Sequence, residues 1–429
     1  MRRLSLHPRS TAAPAHQAAP RRGRSEIVYL PAPDMLLLWA ILALCGLGLV
    51  MIYSASAVTA RQSTGDPFFY VKRQAEAAVV GGTALIFALR LGYRKLQPLA
   101  YPLLLLALFG LILVLLPGVG TVAGGARRWI RLPAASFQPA ELAKLAFVVY
   151  LAYSLSKKRE KVRIFSIGFL PHCFVGLMLM ALCLLEPDFG SAVALALLLF
   201  AMLFAAGARI SWLLGSVLAA VPIGYLAIAS SPYRMKRISA FLDPWAHRHD
   251  IGYQVAESLM SVGSGGVWGL GLGDGRQKLF FLPEAHTDFI FSIIGEELGL
   301  LGSIAVIALY GIIIWRGLRA AFNASDAFGA YLALGLTSLV GFGACVNLGV
   351  AMGALPTKGL TLPFVSYGGT SLVLSMFAAG VLLSISQSRG GFLRPQLRTG
   401  LTNPRMKNPL AGLDGLLAEQ APQGRGGQP

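Results

Sequence analysis

Apolar residues are gathered into ten nearly uninterrupted stretches, approximately 35–56, 75–93, 98–116, 138–155, 166–185, 189–207, 211–229, 289–315, 327–352 and 368–387. Each is close to the roughly 20 residues an α-helix needs to cross a hydrocarbon layer. The pattern predicts an all-α polytopic membrane protein of about ten transmembrane helices. Its membrane domain occupies 35–387, with a large extracytoplasmic loop, 230–288, between the seventh and eighth spans. That loop alternates polar and apolar residues around Tyr253, Gln254, Glu257, Leu259 and Met260, which predicts short amphipathic helices along the membrane surface. Two tails, 1–34 and 388–429, are rich in Pro, Gly, Ala and Arg and poor in aromatics, as disordered cytoplasmic arms are. No repeat of 20–50 residues runs through the chain, and its halves lack the similarity that inverted-repeat transporters often show.

Composition sharpens this picture. Of 429 residues, 55% are hydrophobic and 13% charged, against about a quarter charged in soluble domains. The polar, Arg-rich start, with no small-residue cleavage site after the first apolar run, predicts no cleavable signal. Cys45, Cys173, Cys183 and Cys345 all fall in apolar stretches and read as small buried hydrophobes, not a disulfide or metal framework. The net charge of +18 follows topology. With both termini in the cytoplasm, tails and inner loops hold most of the 37 Lys and Arg, and Lys157–Arg163 (KKREKVR) marks an inner loop most strongly. Attraction to anionic lipid accounts for the remainder, and no nucleic-acid partner is expected.

The densest candidate chemistry is Leu282–Gly299, LPEAHTDFIFSIIGEELG. Glu284, His286, Thr287 and Asp288 stand directly before the eighth span. A carboxylate at the edge of hydrocarbon must face water or hold its proton tightly, and either suits a general base. Capping the following helix explains Asp288 equally well from spacing alone. Glu296 and Glu297 are expected to face the bundle interior. Glu141 and Lys144 share one face of the fourth span, as an ion pair or as the lining of a polar cavity that meets an anionic lipid. Gly125–Arg131, GARRWIR, supplies interfacial anchors or a phosphate contact, with Arg131 the candidate. Glu186 and Asp188, in EPDFG, could hold a cation, but a helix cap through Asp188 is the simpler account. In Pro363–Ser371, PFVSYGGTS, Ser366, Gly368 and Gly369 allow close backbone approach to a ligand or a helix. Lys358 is the one positive charge of the outer loop before it. The glycines of 263–275 lack the strand and lysine of a nucleotide loop and read as a tightly turned or flexible surface loop.

Several blocks in order, GARRWI with QPAELAK, EPDFG, GYQ with the glycine-rich loop, LPEAHTDFIFSIIGEELG and LPTKGLTLPFVSYGGTS, resemble the SEDS family (shape, elongation, division and sporulation) over roughly 35–390. IIGEELG after HTDFIF, and PTKGLTLPFVSYGG, favour its division-type member over the elongation type. The resemblance implies a peptidoglycan glycosyltransferase that polymerises lipid II at the outer face of the bacterial cytoplasmic membrane, at the division septum. It places the family's essential aspartate on Asp288 and its polar cavity residue on Lys144. It implies as partners a class B penicillin-binding protein, an FtsI-like transpeptidase, and other divisome membrane proteins. One departure is Lys278-Leu279-Phe280-Phe281, where an acid near position 280 is expected, so no role passes to it.

In that reaction the 4-hydroxyl of one lipid-linked disaccharide loses a proton as it attacks the anomeric carbon of another. Asp288 would accept the proton. Arg131, Lys144 and Lys358, with or without a divalent cation such as Mg or Mn, would steady the polyprenyl diphosphate that leaves. Glu141, Glu284, His286, Thr287, Ser366, Gly368 and Gly369 complete the expected substrate contacts. Displacement in one step inverts an α-linked donor to a β-linked polymer, and no nucleotide is needed. A lipid II flippase, an elongation-type polymerase and a non-catalytic divisome scaffold are the rival expectations.

Overall fold

The computed structural model describes residues 32–388 except 124–125, 132–135, 231, 251, 277, 279–281, 283 and 358. Most of both predicted tails thus lies outside the described residues. The ten predicted spans are found as α1 (Met35–Thr64), α2 (Phe69–Leu91), α3 (Ala100–Leu115), α4 (Pro139–Lys157), α5 (Leu170–Leu185), α6 (Phe189–Ala205), α7 (Ile210–Ala229), α10 (Ile290–Asn323), α11 (Ala327–Ala351) and α12 (Gly369–Ser386). Between α7 and α10 lie two shorter helices, α8 (Pro232–Leu242) and α9 (Tyr253–Ser264). Among the described residues six helices are long and apolar enough to cross a membrane, and α3, α6 and α7 are shorter apolar ones. Side chains such as Trp39, Leu105, Phe109, Phe174 and Leu218 face outward, as hydrocarbon requires.

The centre of the bundle is α4. Every residue from Ala143 to Ala152 is buried, and α3, α6, α11 and α12 pack around it. A helix apolar on all sides belongs in a core, so Lys144 on α4 is a charge inside the bundle. Elsewhere α2 lies along α12, α1 along α10, and α10 along α11.

Three features were not predicted. The loop before α4 folds as an antiparallel sheet of β1 (Gly120–Ala123), β2 (Ala126–Arg131) and β3 (Ser136–Phe137), in that order. Second, α10 breaks at Gly299, whose φ of 66° and ψ of −162° are not helical. Its 34 residues would measure about 51 Å as one straight helix, well beyond the roughly 30 Å of hydrocarbon. Ile290–Glu297 are all buried, whereas Leu300, Leu301, Ile304 and Ile307 beyond the break are exposed. The lipid-facing part of α10 therefore begins after the kink.

Third, α9 packs on the bundle, against α10 and α11, where a surface-lying helix was expected. The cause is a pair of serines one turn apart. Ser258 Oγ is 2.6 Å from Ser292 Oγ and donates to the Ala351 carbonyl at 2.7 Å, and Ser261 Oγ donates to the Ser292 carbonyl at 3.0 Å. The glycine-rich loop then covers the kink. The N–H groups of Leu270 and Gly271 donate to the carbonyls of Glu296 and Glu297, and that of Leu300 donates to Gly266. Gly269 has a φ of 82°, and a Cβ there would lie 2.2 Å from the Glu297 carbonyl oxygen, so only glycine fits. The loop is tightly turned, and Glu296 and Glu297 hold it to the bundle.

Candidate active site

A tight turn sets Asp288 in place. The Glu284 carbonyl accepts from the N–H groups of Thr287, Asp288 and Phe289 at 3.1, 3.1 and 3.3 Å, and Glu284 itself has a φ of 55°. Thr287 Oγ1 donates to the Glu284 carboxylate at 2.8 Å. The residue capping α10 is Phe289, with no side-chain cap, so helix capping does not account for Asp288. Among the described residues its carboxyl oxygens accept no hydrogen bond.

A second loop, 355–368, is stitched to this turn. Ser366 Oγ donates to the Thr287 carbonyl at 2.5 Å and accepts from the Leu362 N–H at 2.8 Å, while the Tyr367 N–H donates to the His286 carbonyl at 2.9 Å. The His286 ring lies against Tyr70 and Tyr367, at centroid distances of 4.5 and 5.6 Å. Two buried amides complete the frame. Asn347 on α11 donates to the carbonyls of Asp288 and Leu360 at 2.9 and 2.7 Å. Gln74 on α2 donates to the Ser366 carbonyl and accepts from the Gly368 N–H, both at 3.1 Å. Gly359 abuts the carboxylate so closely that a Cβ there would lie 3.1 Å from Asp288 Oδ2.

The electrostatics leave Asp288 poised. Burial pushes its carboxyl up to about 7; Glu284 and Asp188 push the same way, and Arg128 and Arg237 oppose them. Burial also holds the His286 imidazole below its usual range, with Glu284 opposing. Arg128, on β2, donates through Nε to the Glu186 carbonyl at 3.4 Å and through Nη2 to the Pro187 carbonyl. Arg237, on α8, donates to the Thr357 carbonyl at 3.3 Å. Asp188 caps α6, accepting from the Ser191 N–H at 3.1 Å and Oγ at 2.8 Å.

Further into the bundle, Lys144 Nζ donates to Glu141 Oε1 at 2.7 Å with both side chains largely shielded. The pair lines a narrow cleft shared with Leu197, Phe342, Thr361 and Ser375. Lys144 is thus both paired and at the wall of the cleft. The segment 359–361 joins the two centres, because Gly359 touches Asp288 while Leu360 and Thr361 line the cleft.

The structure thus gathers Glu284, His286, Thr287, Asp288, Ser366 and Gly368 into one frame, with Glu141 and Lys144 beside it. Gly369 opens α12, with room between it and Ala77 of α2. Arg131 ends β2 with an exposed side chain, and Lys358 lies outside the described residues. Arg128, not Arg131, reaches the field of Asp288, because alternate residues of a strand face opposite ways. Gln74, Asn347 and Arg237 escaped the sequence reading, although an amide inside an apolar stretch is itself a signal. Among the described residues no group of three or more His, Cys, Asp or Glu is placed to hold a metal ion.

Comparison with known proteins adds to this geometry. The sequence profile of the cell cycle protein family that joins FtsW, RodA and SpoVE matches residues 35–390. A protein of Geobacter metallireducens named probable peptidoglycan glycosyltransferase FtsW is 47% identical over 83% of this chain and 96% of its own length. Stage V sporulation protein E of Bacillus subtilis is 41% identical over 83% of this chain and 97% of its own. Among solved structures, a chain from a peptidoglycan synthase complex, described as coordinating polymerization and crosslinking, matches with a TM-score of 0.70 at 30% identity, covering 83% of this chain and 98% of that one. The rod shape determining protein RodA of Thermus thermophilus matches with a TM-score of 0.62 at 30% identity over the same shares.

Proposed function

The chain belongs to the cell cycle protein family of FtsW, RodA and SpoVE, and on that premise we propose that it polymerises lipid II as a division-type peptidoglycan glycosyltransferase. The observation that carries the mechanism is Asp288: a carboxyl whose oxygens accept no hydrogen bond among the described residues, raised to about 7, with its main chain held by Asn347 and the Glu284 turn. A base with that affinity can take the proton of the attacking 4-hydroxyl near neutral pH and release it afterwards. Fixing the carboxylate through Asn347, Ser366 and the Glu284 turn, instead of through its own oxygens, leaves those oxygens for the substrate.

Negative charge builds on the leaving diphosphate, and preorganised cations stabilise it most effectively where water is excluded. Arg128 supplies a planar guanidinium with further donors beyond its two carbonyl contacts. Lys144 retains donors beyond its bond to Glu141. We assign the steadying of that charge to Arg128 and Lys144. In-line attack gives inversion, α-linked donor to β-linked strand.

The chain is a multi-pass membrane protein, and we place both termini in the cytoplasm and the site at the outer face of the septal membrane. The likeness to a chain of a peptidoglycan synthase complex supports a crosslinking partner, a class B penicillin-binding protein. The test is lipid II polymerisation by wild type and Asp288→Asn, each with and without that partner, the partner carrying no glycosyltransferase activity of its own. Polymer from wild type and none from an equally folded variant supports the assignment. Equal polymer from both removes Asp288 as the base. Lipid II crossing liposome membranes without any polymer replaces polymerisation with transport.

A further inference from the structure

Glu186 has no part in the mechanism above, yet it is the least expected carboxyl of the outer face. It sits in the turn between α5 and α6, is 0% exposed, and among the described residues neither oxygen has a hydrogen-bond partner. Arg128 bonds the main-chain carbonyls of Glu186 and Pro187 but makes no bond to the carboxylate. A carboxylate and a guanidinium form among the strongest polar contacts available to a protein. An ionised Glu186 would take that contact, whereas a neutral acid has much less reason to.

The surrounding charges agree. Asp188, in the same turn, already has both oxygens engaged, by Ser191 and Gln138. A second anion beside it would be repelled. From β2 the facing charge is Arg128. From α4, Glu141 and Lys144 reach the same region, within the field of the Cys183 thiol together with Glu186 and Asp188, and they are already paired with each other.

We propose that Glu186 works as a neutral, protonated acid whose missing charge leaves Arg128 free to meet the diphosphate of the substrate. It is a positioning residue acting through Arg128. The inference rests on the reading that a diphosphate-linked lipid is the substrate. Asp288 already has two anionic neighbours, Glu284 and Asp188, against the cations Arg128 and Arg237. A charged Glu186 would cancel one of those two cations and repel an anionic donor. Burial first, then Asp188, pushes the Glu186 carboxyl up to about 8, with Arg128 opposing, so the neutral form prevails at pH 7 and is lost as pH rises through 8.

The experiment uses the full-length protein, with Glu186→Gln as an isosteric neutral variant and Glu186→Met as a second in case the first folds poorly. Two quantities are read from pH 5.5 to 9: the melting temperature, and KM for lipid II in the polymerisation assay. A folded-state pKa above the unfolded one costs wild-type stability increasingly as pH rises from its ordinary 4.5 to about 8. The variants carry no such group, so their melting temperatures gain on wild type across that window and then run parallel. Wild-type KM rises above pH 8, by about tenfold at pH 9 if only the neutral form binds, and this limb is absent from both variants. A melting gap that does not change with pH overturns the proposal, as does a KM limb shared by wild type and variants. Absence of polymer from wild type at every pH counts against the polymerase reading instead, and the melting gap still decides whether Glu186 is neutral.

Discussion

Asp288 and Glu297 are carboxyl groups on one short stretch of chain, both largely removed from water, and the protein treats them in opposite ways. Glu297 Oε1 accepts from Lys278 Nζ at 2.6 Å and from Ser54 Oγ at 2.7 Å, while Oε2 accepts from the Gly273 N–H at 3.1 Å. Lys278 also donates to the Gly273 carbonyl at 2.6 Å and to Ser54 Oγ at 3.0 Å. Beside it, Glu296 accepts from the Arg276 N–H at 2.7 Å and from Ser261 Oγ at 3.2 Å. Asp288 has its backbone held just as firmly, by Asn347 and the Glu284 turn, and among the described residues its carboxyl accepts no hydrogen bond. A fully satisfied buried network rigidifies. A carboxyl kept close to the substrate with unspent oxygens stays reactive. On our proposal the difference separates a bolt from a base on the same segment.

The largest test of this contrast is Asp288→Asn. It should lower polymerisation by on the order of 10²–10⁴-fold, the usual contribution of a general base, while the melting temperature holds or rises near pH 8. The sign follows from a raised carboxyl. Its contribution to stability is full below the ordinary 3.8 and is lost as pH rises toward about 7. A fall in melting temperature comparable to that of a core mutant would make Asp288 a structural residue like Glu297.

Lys278→Met attacks the other side. It strands the Glu297 carboxylate without its cation, at a cost of about 3–5 kcal/mol, measured by thermal unfolding in detergent. Replacing Glu297 with Leu in the same chain should recover most of that loss, since apolar replacement of a whole buried pair is often neutral. If the double variant unfolds as easily as the single one, the network holds the loop by more than its charge balance.

Acidification reports on Asp288 alone. Because the base must be ionised, kcat/KM should fall about tenfold per pH unit below about 7. A profile flat down to pH 5.5 would show a carboxyl of ordinary acidity. The smallest effect expected is at the sheet. Arg128→Ala should raise KM for lipid II, whereas the exposed Arg131→Ala should leave it nearly unchanged. Equal effects would mean that both arginines act only as interfacial anchors.

Much of this was legible along the chain. All ten apolar stretches became helices, with α1 and α10 running eight residues past their predicted ends, because hydrocarbon demands backbones that satisfy their own hydrogen bonds. The Glu284–Asp288 turn stood out since polar residues are rare where a span begins. Its partners were hidden by distance. Gln74 and Ser366 meet across 292 positions of sequence, and Asn347 reaches the Asp288 carbonyl across 59. No local pattern encodes such pairs.

What the amino-acid order determined by itself was the number and place of the apolar helices and which stretch concentrates candidate chemistry. Those depend on hydropathy and charge, which act residue by residue. Folding in three dimensions decided which arginine of GARRWIR faces the site, that α9 and the glycine-rich loop sheathe the first half of α10, and that Glu297 is paired with a lysine where, among the described residues, Asp288 and Glu186 form no ion pair. A buried carboxyl is governed by the few atoms within about 4 Å of it, and only the packed chain brings those atoms together.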